Sequence, residues 1–193
     1  LIQDSTIAGN VSLAIGQGYH IFGSDPGDSI PFRIQDSHVG SVAVQAKSGD
    51  YSFTFVGSQT SETKKGGISV SYGSGDSYTY IGDNSTIYGS VSAKTGTKYS
   101  WLDLLFNVAW DTEFTLNEST IQGKLTVSNL DSDDTVTAYD SHVFKGASIS
   151  NGTGDATVTF KGVYMRQDGA KDYPLKIISG SNGWGYETDT VSV

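Results

Sequence analysis

A short phrase returns along this chain, and it constrains the fold more than any single residue does. It reads Asp4-Ser5-Thr6-Ile7, Asp36-Ser37-His38-Val39, Asn84-Ser85-Thr86-Ile87, Glu118-Ser119-Thr120-Ile121 and Asp140-Ser141-His142-Val143. A glycine follows each copy closely (Gly9, Gly40, Gly89, Gly123, Gly146), and then come alternating apolar pairs such as Val42/Val44, Val91/Ala93, Leu125/Val127 and Ala147/Ile149. Recurrence of one unit at this scale points to stacked repeats, each of which buries its apolar face only against its neighbours.

Where two copies follow each other without an insertion, one step of 22 residues carries Ile121 to Val143, Phe114 to Val136, Leu116 to Ala138, Leu125 to Ala147 and Val127 to Ile149. A further step reaches Val158 and Phe160. Period-two strands that keep one register over several apolar columns are what a β-solenoid coil requires, because inward side chains of successive coils must stack. Elsewhere the phrase recurs after 32, 48 and 34 residues, which reads as one or two coils carrying loops. The expectation is an all-β parallel β-solenoid with irregular coils and loop insertions, its inward columns including Leu116/Ala138/Phe160 and Val127/Ile149. For the first third a β-sandwich is the alternative, since strand-rich segments with this turn spacing support both.

Composition fits a strand-and-turn protein, with 24 glycines, 3 prolines and abundant Ser, Thr and Tyr. The 193 residues suffice for one core and no linker divides them, so residues 1–193 read as a single domain. The best helix candidate is Tyr99 to Trp110, but its apolar run of Leu102, Leu104, Leu105, Phe106 and Val108 equally suits a buried strand and is too short to span a bilayer. No signal peptide is visible, and a start at Leu1 reads as processing or as an excised fragment. A net charge of −9 repels phosphate backbones, which argues against nucleic acid. Zero cysteine excludes thiolate metal sites and cysteine nucleophiles. Few charges (17%) and many hydroxyls point to a secreted or cell-surface protein.

The stretch Phe106-Asn107-Val108-Ala109-Trp110 and then Phe114 to Val127, with Asn117-Glu118-Ser119-Thr120-Ile121-Gln122-Gly123 at its centre, resembles the coils of autotransporter adhesin passengers and related β-helical bacterial surface proteins. That resemblance implies an exported stalk or adhesive surface, without the family's membrane barrel.

Candidate chemistry is sparse. Stacked copies bring Glu118 and Asp140 to roughly the 4.8 Å spacing of paired strands. Either a cation such as Ca²⁺ relieves that repulsion, or the acids are turn residues bonding the local backbone. Asp131, Asp133 and Asp134 alternate oxygen ligands but lack the glycine and distant glutamate of an EF-hand loop, so a solvated turn is preferred over a cation site. His38 and His142 occupy the threonine place of the phrase and should share one face with it, whereas His20 lies outside any copy; substitution for threonine is preferred over a metal pair. Asp103, Asp111 and Glu113 flank Trp101 and Trp110, yet Asp111 and Glu113 project in parallel from one strand, which does not place two carboxylates across a groove. No hydrolase elbow, P-loop or metalloprotease motif occurs. Aromatic platforms for a glycan are Tyr78, Tyr80, Tyr88, Trp101 and Trp110. Sequons at Asn10, Asn84, Asn117 and Asn151 are candidate glycosylation sites.

The sequence therefore reads as a non-catalytic extracellular protein, adhesive or structural, acting by glycan binding and self-association. Two alternatives stand beside it. One is a filament or surface-layer subunit joined through terminal strands, with Leu1 to Ile15 as the donated strand; the other is a β-helix polysaccharide lyase or hydrolase.

Overall fold

The computed structural model describes residues 1–17, 30–95, 111–128, 133–150, 152, 156–165, 175–178 and 190–192. Every strand pairing among them is parallel, and the strands form two sheets that run the length of the stack. The chain is a parallel β-solenoid, and the first third belongs to the same stack, so the sandwich alternative falls. Ile30–Gln35 pairs with Tyr51–Val56, and that strand pairs with Ser77–Gly82.

A representative coil shows how the sequence makes its three sides. Asp111–Asn117 is a long strand whose even-numbered residues, Thr112, Phe114 and Leu116, are buried. Glu118 then takes φ of 45°, and this left-handed residue turns the chain into the two-residue strand Thr120–Ile121. A second bend at Gly123 leads into Leu125–Ser128, where Leu125 and Val127 point inward. Alternation of period two thus supplies an interior from every side.

The expected columns stand in register. Leu116 pairs with Ala138 and Ala138 with Phe160, while Leu125/Ala147 and Val127/Ile149 pair on the other sheet. Backwards along the stack the first of these continues through Ile81, Phe55 and Ile34 to Ile2. Ile87, Ile121 and Val143 stack at the corner strand, all fully buried.

Two further rungs of the corner have glycine at the head and lie outside the phrase. Gly57-Ser58-Gln59-Thr60 lies between the second and third copies, and Gly162-Val163-Tyr164-Met165 follows the fifth. Their glycines have φ of 55° and 66°, beside 47° for Asp36 and 43° for Asp140. What the corner demands is a left-handed backbone, and glycine, Asn and Asp meet that demand most easily. Space matters too. A Cβ on Gly57 or Gly162 would collide with the carboxylate of Asp36 or Asp140 in the preceding coil. The step of 48 residues accordingly contains two coils, and those of 32 and 34 contain one coil with a loop.

Behind the turn runs a ladder of serines. Each hydroxyl donates to a carbonyl of its own coil, Ser37 to Gln35 and Ser58 to Val56 at 2.7 Å, Ser119 to Asn117 at 2.8 Å and Ser141 to Tyr139 at 2.6 Å. Ser37, Ser58, Ser85 and Ser141 also accept the backbone N–H of the serine one coil before: Ser5 N–H to Ser37 Oγ at 3.1 Å, Ser37 to Ser58 at 3.0 Å, Ser58 to Ser85 at 3.3 Å and Ser119 to Ser141 at 3.1 Å. The series is interrupted at Ser85, whose N–H goes to the Gly82 carbonyl of its own coil at 3.3 Å. The ladder satisfies amides that the bend removes from the sheets, and it explains why a polar residue is retained at a buried place.

Candidate functional site

Two of the outward-facing columns of the long sheet pass through its tyrosine-bearing strand. Pro31, Ser52, Tyr78, Glu113, Thr135 and Thr157 make one; Arg33, Thr54, Tyr80, Thr115, Thr137 and Thr159 make the other. Most are hydroxyl side chains, each a donor and an acceptor held at strand spacing. The two tyrosines interrupt this field side by side on Ser77–Gly82, with ring centroids 6.4 Å apart and planes only 6° from parallel.

Two neighbours hold that pair. The Tyr80 ring lies over Gly82, so close that a Cβ there would enter its Cε1, Cζ and Oη atoms. Glycine lets the ring fold down along the strand, and a larger residue would lift it. Beneath the sheet, the buried Tyr72 hydroxyl donates to the Tyr78 carbonyl at 3.2 Å and shares a hydrogen bond with Thr79 Oγ1 at 3.3 Å. Tyr72 in turn stacks on Tyr51, whose hydroxyl reaches the Gly16 carbonyl at 3.1 Å. Burial pushes the Tyr72 phenol well above its ordinary range, so it stays a neutral donor. Tyr78 is also shifted upward, first by its own partial burial and then by the Glu113 carboxylate and Tyr80 beside it.

Glu113 is exposed and pairs across the ladder with Tyr78 on one side and Thr135 on the other. Its Oε1 accepts a hydrogen bond from Thr115 Oγ1 at 3.0 Å, which fixes the carboxylate beside the rings. The face therefore offers a flat aromatic strip bordered by Ser52, Thr54 and Thr115 hydroxyls and the Glu113 carboxylate, with Asp111 two residues farther along the same strand face. Such a strip suits a ring-shaped ligand that packs an apolar face on aromatics while its edges bond to polar groups.

The remaining sequence candidates separate. Tyr88 sits past the corner strand Thr86–Ile87, its N–H bonded to Thr60 Oγ1 at 2.9 Å, and belongs to a different side of the solenoid from Tyr78 and Tyr80. Trp101, Trp110, Asp103, Asp131, Asn151 and His20 lie outside the described residues. Asp111 and Glu113 are both exposed on one face of one strand, projecting the same way. His38 and His142 do share a column, in the pairing series Thr6, His38, Gln59, Thr86, Thr120, His142, with Tyr164 after it. They are four rungs apart, about 19 Å at strand spacing, too far to share one ion.

Glu118 and Asp140 are adjacent exposed turn residues, linked by the Glu118 N–H to the Tyr139 carbonyl at 3.1 Å. Asp133 begins a strand opposite Asp111, and Asp134 beside it is buried opposite Thr112, so this part of the acidic cluster is strand and not a solvated turn, because the inward parity of the strand falls on Asp134. Among the described residues no group of three or more His, Asp or Glu side chains converges as a metal site. Asn10 and Asn84 are exposed, while Asn117 is half-buried at a strand end. One open cleft of about 510 Å³ lies along the corner of the first three rungs, against Asp4, Asp36, His38 and Gln59. The Ser37 hydroxyl in its wall is engaged by the serine ladder, and Asp36 accepts the Gln35 side-chain amide at 3.0 Å.

A second aromatic group went unnoticed in the sequence. His142 packs on Tyr164, centroids 5.1 Å apart, and edge-on to Phe144 at 6.2 Å. The seventh corner rung at Gly162 would have revealed it, had glycine been admitted at the head of the phrase. No protein-family model, curated protein or solved structure matches this chain.

Proposed function

We propose that this protein is a non-catalytic, extracellular, surface-type binding module that holds glycan chains against the outer face of its long sheet. The observation that carries the reading is the near-parallel pair Tyr78 and Tyr80, folded flat over Gly82 and bordered by hydroxyls. The hydroxyl-rich, weakly charged composition and the resemblance to adhesin coils support the location. A solenoid suits the task because its outward columns repeat at strand spacing, so a long polymer meets a long, rigid face with little entropy to lose.

Binding to a panel of neutral and charged polysaccharides tests it. Tyr78→Ala and Tyr80→Ala should each weaken binding about ten-fold, as for a central aromatic anchor, whereas Tyr164→Ala, on another side, should not. Binding unaffected by either substitution would refute the site. Release of reducing sugar, abolished by Asp111→Asn, would instead promote the hydrolase reading.

A second reading is head-to-tail self-association. Ile2, Ile7, Val11, Leu13 and Ile15 occupy the apolar columns of the first rung yet are only half-buried, as are Leu175 and Ile177 near the other end. The strand Thr6–Gln17 is paired in its own chain with His38–Ser48. Assembly would therefore add a copy to its outer edge, and a parallel stack grows that way into a filament. Deleting residues 1 to 15 should abolish assembly in sedimentation while the coils around Ile121 stay folded. Undiminished polymerisation of the truncated chain would sink this reading.

A further inference from the structure

We propose that the tyrosine strip selects glycans carrying free amino groups, with Glu113 as the residue that reads the ammonium charge. This rests on the glycan reading above and narrows it to one substrate class, amino-sugar polymers.

Glu113 stands one strand from Tyr78 in the same outward column, and Thr115, which anchors its Oε1 at 3.0 Å, stands one strand from Tyr80. The carboxylate is thus held at the border of the rings and is exposed. Its two ladder neighbours, Tyr78 and Thr135, are uncharged. The cation of these two columns, Arg33, is in the Tyr80 column two strands from that ring, about 10 Å away. A carboxylate set beside tyrosine faces presents an ammonium group with two attractions at once. The rings draw the cation to their faces, and the acid pairs with it. A chain net charge of −9 adds a long-range pull on cationic polymers and repels uronate or sulfate chains. A neutral sugar gains nothing from Glu113 beyond a hydrogen bond. The flatness and length of the strip favour a chain of rings over a lysine side chain, whose ammonium would engage one ring at most.

The test compares glucosamine hexamer with N-acetylglucosamine hexamer, two probes of the same rings that differ in charge, by titration calorimetry on the full chain at low and high salt. The expected result is binding of the amine form about ten-fold tighter, weakened several-fold by salt. Glu113→Gln, which keeps the side-chain shape, should erase most of that preference. Glu62→Gln is the charge-matched control, since Glu62 lies in the exposed turn after Thr60, and it should leave the preference intact. Equal binding of both hexamers, insensitive to Glu113→Gln, overturns the amine inference and leaves the glycan reading standing. Equal loss in Glu62→Gln and Glu113→Gln overturns it in favour of bulk charge. Failure of both hexamers and of every polysaccharide in the panel to bind overturns both.

Discussion

Replacing Ser58 by alanine measures what the serine ladder is worth. Ser58 is fully buried; its hydroxyl donates to the Val56 carbonyl at 2.7 Å and accepts the Ser37 N–H at 3.0 Å. Alanine removes both bonds and leaves the Ser37 amide, itself buried, without its acceptor. An ordinary hydrogen bond contributes about 1 kcal/mol net, and an orphaned buried donor costs roughly 1–3 kcal/mol. The expected loss is therefore about 2–3 kcal/mol, or roughly 4–12 °C in Tm for a chain of this size. Ser5 is the internal control. It sits on the first rung, where its hydroxyl makes only the solvent-exposed bond to the Gln3 carbonyl at 2.7 Å. Ser5→Ala should cost under about 0.5 kcal/mol. Urea titrations followed by far-ultraviolet circular dichroism, with m-values compared to detect partial unfolding of single coils, give both numbers. If Ser58→Ala and Ser5→Ala cost the same, the ladder is ornamental and backbone pairing alone holds the corner.

Further predictions address the core, the turn and the floor of the tyrosine strip. Ile121→Asp places a charge in a fully buried column and should cost about 3–5 kcal/mol, measurable by the same titration. Gly57→Ala meets both a left-handed φ of 55° and the Asp36 carboxylate, so it should destabilise by roughly 1–3 kcal/mol. Adding Asp36→Ala should return part of that loss, and strict additivity would show that the collision plays no part. Tyr72, raised by burial above its ordinary value of 10, favours the protonated phenol in the folded state. Its stability contribution is complete below pH 10 and is lost as pH climbs beyond, because the unfolded chain gives up that proton first. Tyr72→Phe should flatten part of the alkaline limb of the stability curve, and an unchanged limb would contradict the assignment.

The stacking of Phe114, Leu116, Ile121, Leu125 and Val127 on Val136, Ala138, Val143, Ala147 and Ile149 was legible in the sequence for a simple reason. Parallel in-register strands repeat the same inward parity at a fixed step, so one-dimensional spacing and three-dimensional contact coincide. The head of the phrase was legible as a turn for a similar reason, since Asp, Asn and glycine are the residues that turns recruit.

Other features depended on position in space. Gly57 and Gly162 fill the same left-handed corner as Asp36 and Asp140, but they share a backbone angle with them and no side-chain chemistry, so a phrase headed by Asp, Asn or Glu does not contain them. The Tyr78/Tyr80 strip was visible as two aromatics of equal parity, while its flatness depends on Gly82, and its charge on Glu113 from the next strand, 35 residues along. Tyr88, equally aromatic and nearby in sequence, was separated from them by the bend at Asp83 and Asn84, whose φ values of 56° and 61° carry the chain onto another side. Sequence alone determined which residues face inward, because burial of apolar side chains at period two admits one register. Only the tertiary structure decided which outward residues meet, because that depends on the loop lengths and left-handed turns that bring one rung over the next.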